Sequence, residues 1–170
     1  TGIPNPCNLK GWTVLHSAAF HGQLEIVEDI CGDLEEKNPT GYRVPFAMAK
    51  MTPMHEASKA GHLKIVKFFY KILSDVSVND AKGMNALHHA AKEGHLLLVE
   101  FLTDTIAIDT KDTNGKTAKD LAFDSGHESV VSYLQHLDCL PSETREQGAL
   151  RRLEKIETLK TYEMMISKIK

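Results

Sequence analysis

Residues 84–100 decide the fold of this chain, and they read MNALHHAAKEGHLLLVE. Related stretches begin at Thr13 and Thr52 before it and at Thr117 after it. Each copy has a glycine at its centre: Gly22, Gly61, Gly94 and Gly126. The first interval between these glycines is slightly longer than the other two, which are nearly equal. A nearly constant period in the range of about 20–50 residues is typical of stacked repeat architectures.

Each copy predicts two short helices that are joined at its central glycine. A threonine such as Thr52 suits the N-cap of the first helix, and Pro53 suits its first turn, where no N–H is needed. The glycine suits the left-handed residue that closes this helix. The second helices carry apolar residues at spacings that place them on one face: Ile26, Val27 and Ile30; Ile65, Val66 and Phe69; Leu98, Val99 and Leu102; Val130, Val131 and Leu134. Since one pair cannot bury this face alone, we expect the pairs to stack as a solenoid.

These residues resemble the ankyrin repeat, whose pattern runs roughly Asp-x-x-Gly-x-Thr-Pro-Leu-His-x-Ala-Ala-x-x-Gly-His. The resemblance covers about residues 8–137 over four copies. It implies an all-α ankyrin-repeat solenoid of helix-turn-helix pairs, with β-hairpin fingers between repeats. It also implies a concave groove formed by the finger tips and the first helices. We predict an ankyrin-repeat domain at 8–138, with repeats at about 8–40, 41–79, 80–111 and 112–138.

The motif also accounts for six of the nine histidines. One set follows Leu or Met and the other follows the central glycine: His16, His55 and His88, and then His62, His95 and His127. The resemblance implies that the first set forms hydrogen bonds between adjacent repeats. His21, His89 and His136 remain, but neither a pair of histidines facing each other across one helix nor a cysteine pair points to a metal site.

No pattern of catalytic groups stands out in the chain. It has neither a glycine-rich phosphate loop nor a Gly-x-Ser-x-Gly elbow, and its carboxylates are spread out. We therefore predict that this is not an enzyme. We expect no catalytic residue, no cofactor and no metal ion.

The composition is that of one ordinary soluble unit, with 42% hydrophobic residues, a net charge of −3 and a pI near 6.3. This charge gives no reason to expect binding to nucleic acid or an anionic membrane. The apolar runs are shorter than the ~18 residues of a membrane span, and the first residues lack a signal-peptide pattern. Cys7, Cys31 and Cys139 are scattered and odd in number, which suits a reducing compartment. We expect an intracellular, cytoplasmic location.

We expect a protein–protein interaction module or scaffold that binds a partner polypeptide through the groove and finger tips. Specificity would come from side chains that the repeat does not use for packing. Carried over from the family pattern, the predicted binding residues are Lys10, Trp12, Phe20, His21, Met51, Lys59, Lys82, Met84, Lys92, Glu93 and Lys116. Trp12, Phe20, Met51 and Met84 would form an apolar strip beside the lysines and suit a partner segment with acidic and apolar residues. Alternatively, Trp12 could cover the exposed first repeat and Phe20 could pack inward.

Two parts of the chain depart from the repeat pattern. The second finger, residues 38–51, is six residues too long and contains Tyr42 and Phe46. It is either a tolerated loop insertion or an enlarged finger whose aromatic residues contact a partner. Residues 139–170 are a C-terminal extension. Their sequence predicts a helix from Glu143 to Lys170. That helix would cap the last repeat, act as a solvated linker, or mediate oligomerisation or docking.

The start of the chain suggests a fragment of a longer array or of a larger protein. It lacks an initiator Met and a polar capping repeat, which terminal repeats need. A short domain with an atypical first repeat is the alternative. A second functional hypothesis is therefore a regulatory ankyrin segment of a larger enzyme or ion channel that acts intramolecularly. A third is a spacer whose groove binds nothing.

Overall fold

The structure is a computed structural model that describes residues 13–37, 51–72 and 77–139, with side chains described for all of these except residues 32–37. Within these ranges the chain forms eight helices in four consecutive pairs. They are α1 (Val14–Phe20), α2 (Leu24–Lys37), α3 (Pro53–Ala60), α4 (Leu63–Ile72), α5 (Ala86–Lys92), α6 (Leu96–Leu102), α7 (Ala118–Asp124) and α8 (Glu128–Cys139). None of these helices is long and apolar enough to cross a membrane.

Local contacts explain where the first helix of each pair begins and ends. The side chain of Thr52 accepts a hydrogen bond from the N–H of His55 at 3.3 Å, and Pro53 occupies the first turn of α3. This arrangement satisfies an N–H group that has no partner within the helix. Gly61 ends α3 with a φ of 79°, a conformation that glycine adopts without strain.

The four pairs stack in chain order. The first helices lie side by side, with α3 between α1 and α5, and α5 between α3 and α7. Each second helix packs on the first helix of its own pair. Ala90 and Ala91 are fully buried and allow close approach between helices, while Leu98 and Leu102 fill the space behind them. This confirms the all-α solenoid predicted from the sequence.

The described fingers are tight turns rather than the β-hairpins that the resemblance implied. The N–H of Asp80 donates to the carbonyl oxygen of Met84, and the N–H of Asp112 donates to that of Lys116, each at 2.9 Å. These turns are too short for a strand ladder, and no strand occurs in the described ranges. The two fingers are joined directly, because the N–H of Thr113 donates to the carbonyl oxygen of Lys82 at 2.9 Å.

The first repeat exposes positions that later repeats bury. Val14 is 53% exposed, whereas Ala118, at the same place in α7, is fully buried. Ile26 is 40% exposed, although the sequence placed it on the buried face of its helix; Leu98, at the same place in α6, is 1% exposed. Ile26 differs because, within the described residues, no helix pair precedes its repeat.

Two sequence predictions lie outside the described residues. Of the long second finger, residues 38–51, only Met51 is described, so the predicted roles of Tyr42 and Phe46 lie outside this range. The predicted helix in residues 143–170 also lies beyond the last described residue, Cys139.

Candidate functional site

Three buried histidines connect each of the first three repeats to the finger that follows it. Their Nε2 atoms donate to main-chain carbonyl oxygens: His16 to Met51 at 3.0 Å, His55 to Val78 at 2.9 Å and His88 to Thr110 at 3.1 Å. In His55 the other ring nitrogen accepts from the N–H of Thr52 at 3.0 Å. Burial lowers the pKa of each of the three histidines. Neutral rings with a proton on Nε2 therefore hold the fingers in place.

A second set of histidines fixes the ends of the first helices. Nε2 of His62 donates to the carbonyl oxygen of Phe20 at 2.9 Å, and Nε2 of His95 donates to that of Lys59 at 3.0 Å. Each ring lies directly against the central glycine of the preceding repeat, where a Cβ would fall within 2.7 Å of it. These contacts anchor the main chain at the predicted binding residues Phe20 and Lys59.

The predicted binding residues differ in exposure. The exposed ones are His21, Lys59, Lys82, Lys92, Glu93 and Lys116; Phe20 and Met51 are half-buried, and Met84 is buried. Lys10 and Trp12 lie outside the described residues. The described lysines are therefore exposed at the surface. Of the predicted apolar strip, Phe20 and Met51 are exposed only in part.

Met84 does not belong to the exposed surface. It is only 5% exposed, and its N–H donates to Oδ1 of Asp80 at 2.9 Å. The same position in the next finger carries Lys116, which is exposed. The flexible thioether side chain of methionine fills gaps in a core well, so Met84 stabilises its finger from inside instead of extending the apolar strip.

Three exposed lysines supply positive charge among the predicted binding residues. Lys59 and Lys92 occupy equivalent places, each two positions before a central glycine, and Lys82 lies at a finger tip. Lys116, at the next finger, forms an ion pair with Asp124 at 2.5 Å. The side chains of Lys59, Lys82 and Lys92 form no ion pair with another described residue. Their charges are thus available for groups outside the described structure.

Two rings lie together at the end of α1. The rings of Phe20 and His21 meet edge to face with centroids 5.3 Å apart. Nδ1 of His21 donates to the carbonyl oxygen of Ser17 at 2.8 Å. This contact holds an exposed imidazole beside a half-buried aromatic ring.

The sequence left His89 without a role, but the structure joins it to the finger of its own repeat. Nε2 of His89 lies 3.1 Å from Oδ2 of Asp80, and both side chains are nearly buried. Burial, together with the neighbouring ring of His55, lowers the pKa of His89 to about 4, although Asp80 opposes this change. Neutral His89 therefore donates a hydrogen bond to a carboxylate near neutral pH.

Glu56 was also missed by the sequence reasoning. It occupies the same place in α3 as His89 in α5, between the histidine and the alanine of the motif. Glu56 is 1% exposed, its Oε2 has no hydrogen-bond partner among the described residues, and burial raises its pKa against the opposing effect of Lys59. The motif allows any residue between its histidine and its alanine. A charged or polar residue at that position was the sequence signal that could have identified Glu56 and His89.

Family comparisons agree with this architecture. A family model described as "Ankyrin repeats (3 copies)" matches residues 54–144, and one described as "Ankyrin repeat" matches residues 10–39. The chain therefore belongs to the ankyrin-repeat family. Repeats of this family are generally protein-interaction modules without catalytic activity. In the described ranges no group of three or more His, Cys, Asp or Glu side chains is placed to hold a metal ion.

One curated relative is similar over most of the chain. Protein VAPYRIN-LIKE of Medicago truncatula is 33% identical over 145 residues, which cover 81% of this chain. The chain spans about 30% of the length of that relative.

Proposed function

We propose that this array binds an extended segment of a partner polypeptide along one surface of its first helices and fingers. We call it the inner surface and define it by Phe20, His21, Lys59, Lys82, Lys92, Glu93 and Lys116. The observation that carries the proposal is the pattern of exposure along the first helices. In α5 every residue from Ala86 to Ala91 is buried, and Lys92 is the first exposed one; in α3 exposure likewise begins at Lys59. These lysines do not serve the packing of the array.

The charge of the inner surface favours a partner segment that carries carboxylates. Lys59, Lys82 and Lys92 have no ion-pair partner among the described residues, so a partner's carboxylates would not have to displace one. Exposed ion pairs contribute only about 0.2–1 kcal/mol each, so the affinity must also use apolar contacts. Half-buried Phe20 provides apolar surface within the inner surface, and half-buried Met51 provides more in the finger that follows the first repeat. Binding should weaken with salt, since exposed charges are screened.

Charge reversal on two matched surfaces tests the proposal. Lys59→Glu/Lys92→Glu alters the inner surface, and Lys64→Glu/Lys67→Glu makes the same change of charge on α4, where both lysines are exposed. Each variant and the wild type would be used to capture partners from a lysate, and captured proteins would be reduced to a minimal binding peptide. We expect an acidic peptide whose affinity falls about tenfold or more in the inner-surface variant and less than about threefold in the α4 variant.

Three results would contradict the proposal. One is a peptide that binds both charge-reversal variants equally. Another is a basic peptide that binds the inner-surface variant more tightly than the wild type. The third is an affinity that does not respond to salt, because contacts to exposed lysines must be screened.

A further inference from the structure

The finger at residues 112–116, which we call the fourth finger, carries a reactive pair of residues at its tip. Asn114 is followed by Gly115, and no other asparagine in the sequence precedes a glycine. Residues 113–116 are all exposed. Because glycine has no Cβ, its backbone nitrogen can approach the side-chain amide carbon of the asparagine before it with little hindrance.

The space around Gly115 is open. A Cβ added there would meet no atom of the described residues within 4 Å. At Gly83, the equivalent glycine of the third finger (residues 80–84), a Cβ would lie 2.9 Å from the backbone nitrogen of Thr113. The fourth finger therefore covers the third, whereas no described residue covers the fourth finger at its glycine.

The fourth finger also lacks an anchor that holds the third. Asp80 accepts a hydrogen bond from the buried ring of His89. The residue of α7 at the place of His89 is Leu121, which has no side-chain donor.

The hydrogen bonds that Asp112 accepts stay within its own finger. Among the described residues its carboxylate accepts from the N–H groups of Asn114 and Lys116, at 2.8 and 2.9 Å, and from the side-chain amide of Asn114 at 3.4 Å. The N–H of Gly115 donates to the carbonyl oxygen of Asp112 at 3.0 Å. A turn that is held by exposed hydrogen bonds opens locally at a low free-energy cost.

We propose that Asn114 is a site of spontaneous covalent modification in the folded protein. When the turn opens, the backbone nitrogen of Gly115 loses its proton to solvent base and attacks the side-chain amide carbon of Asn114. The new C–N bond closes a five-membered succinimide, and the C–N bond to the side-chain nitrogen breaks, so that ammonia leaves with a proton from water. Water then hydrolyses one of the two ring carbonyls, which gives aspartate or isoaspartate.

The product carries a negative charge beside the inner surface. Lys116, two positions further along, is exposed and pairs with Asp124 at 2.5 Å. A carboxylate at position 114 lowers the positive charge of this finger, and isoaspartate also lengthens the main chain within the turn. Weaker binding of an acidic partner segment would follow. This consequence rests on the proposed function, but the modification itself does not.

Incubation of the folded wild-type chain in mildly alkaline buffer tests the proposal. Peptide mapping by mass spectrometry, with fragmentation that distinguishes aspartate from isoaspartate, follows every asparagine over time. We expect both products at Asn114, while Asn79, which is exposed but precedes Asp80, and buried Asn85 stay intact. The modification should be lost in Asn114→Gln, because the longer side chain would have to close a six-membered ring.

Lys82→Asn provides the matched control, because it places the same pair of residues at the equivalent position of the third finger. In this variant both fingers age in one molecule. We expect conversion at position 82 to be slower than at Asn114 by about tenfold or more, since the third finger opens only when the buried hydrogen bond from His89 breaks.

Three results would overturn the proposal. One is that Asn114 stays intact in the folded chain. Another is conversion that occurs only when urea unfolds the protein. The third is conversion at equal rates at positions 82 and 114 of Lys82→Asn, because the open fourth finger would then not be the cause. None of these measurements uses a partner, so the test is independent of the proposed function.

Discussion

At the scale of single residues, equivalent glycines differ only in what lies beyond them. Gly61 and Gly126 have nearly the same left-handed conformation, with φ angles of 79° and 77°. A side chain at Gly61 would meet the ring of His95, whereas one at Gly126 would meet no atom of the described residues. Substitutions at these two glycines therefore separate the free-energy cost of backbone strain from the cost of a steric clash with the next repeat.

We expect Gly61→Ala to destabilise the protein more than Gly126→Ala. Both substitutions place a Cβ on a left-handed residue, at a cost of roughly 1–2 kcal/mol. Gly61→Ala also puts that Cβ 2.6 Å from the ring of His95, and such overpacking costs about 1–3 kcal/mol more. Urea denaturation of the two variants measures the difference in the free energy of unfolding.

His95→Ala provides the control for this prediction. It removes the ring that the new methyl group would meet, so in this background the two glycine variants should become nearly equal. A difference that persists without the ring, or equal values in the wild-type background, would show that the histidine contact is not the cause.

At the scale of elements, the two described fingers form the same turn, but their aspartates differ in the side chains that they contact. Oδ1 of Asp80 accepts from the N–H groups of Lys82 and Met84 at 2.7 and 2.9 Å. Asp112 makes the equivalent two bonds in the next finger, at 2.8 and 2.9 Å. Of these two carboxylates, Asp80 alone also accepts a hydrogen bond from a buried histidine, His89.

We expect Asp80→Ala to be more destabilising than Asp112→Ala. Each substitution removes the acceptor for two backbone N–H groups, at a net cost of about 0.5–1.5 kcal/mol per bond. Asp80→Ala also leaves the buried ring of His89 without its acceptor, which adds about 1–3 kcal/mol. Urea denaturation measures both variants.

A double-mutant cycle with His89→Ala then isolates the coupling between Asp80 and His89. A coupling energy near zero would mean that their contact contributes nothing to the stability of the finger, although the two side chains lie 3.1 Å apart.

At the scale of the whole molecule, four buried histidines make stability depend on pH. Burial is the largest cause of the lowered pKa in His16, His55, His88 and His89. The unfolded chain takes up protons near pH 6.5, whereas the folded chain takes them up only at lower pH. Stability is therefore fully present above about pH 6.5 and is lost as the pH falls toward the folded pKa values. Buried Glu56 acts in the opposite direction, because its raised pKa favours the folded state as the pH falls toward 4.5.

We expect the urea midpoint to be clearly lower at about pH 5.5 than at about pH 7.5. For His89, whose pKa falls from 6.5 to about 4, the full effect approaches roughly 3 kcal/mol when the pH reaches 4. His89→Gln should therefore make stability depend less on pH. A midpoint that is constant or rises between pH 7.5 and 5.5 would contradict this prediction.

The sequence by itself determined the period, the helix pairs and most of the buried positions. These features depend on contacts within a few residues, such as Thr52 with His55, or on one pattern that recurs in four copies. A position that is apolar and periodic in every copy, such as Val27, Val66 and Val99, could be predicted to be buried because each repeat faces nearly the same neighbours.

Only the tertiary structure decided which of the predicted binding side chains are exposed. Met84 and Lys116 occupy the same place in successive fingers, yet one is buried and the other is exposed. Ala91 and Phe123 likewise share a position and differ because a repeat follows only the first of them in the described residues. Burial at such places depends on what the neighbouring repeat supplies, and the local sequence does not contain that information.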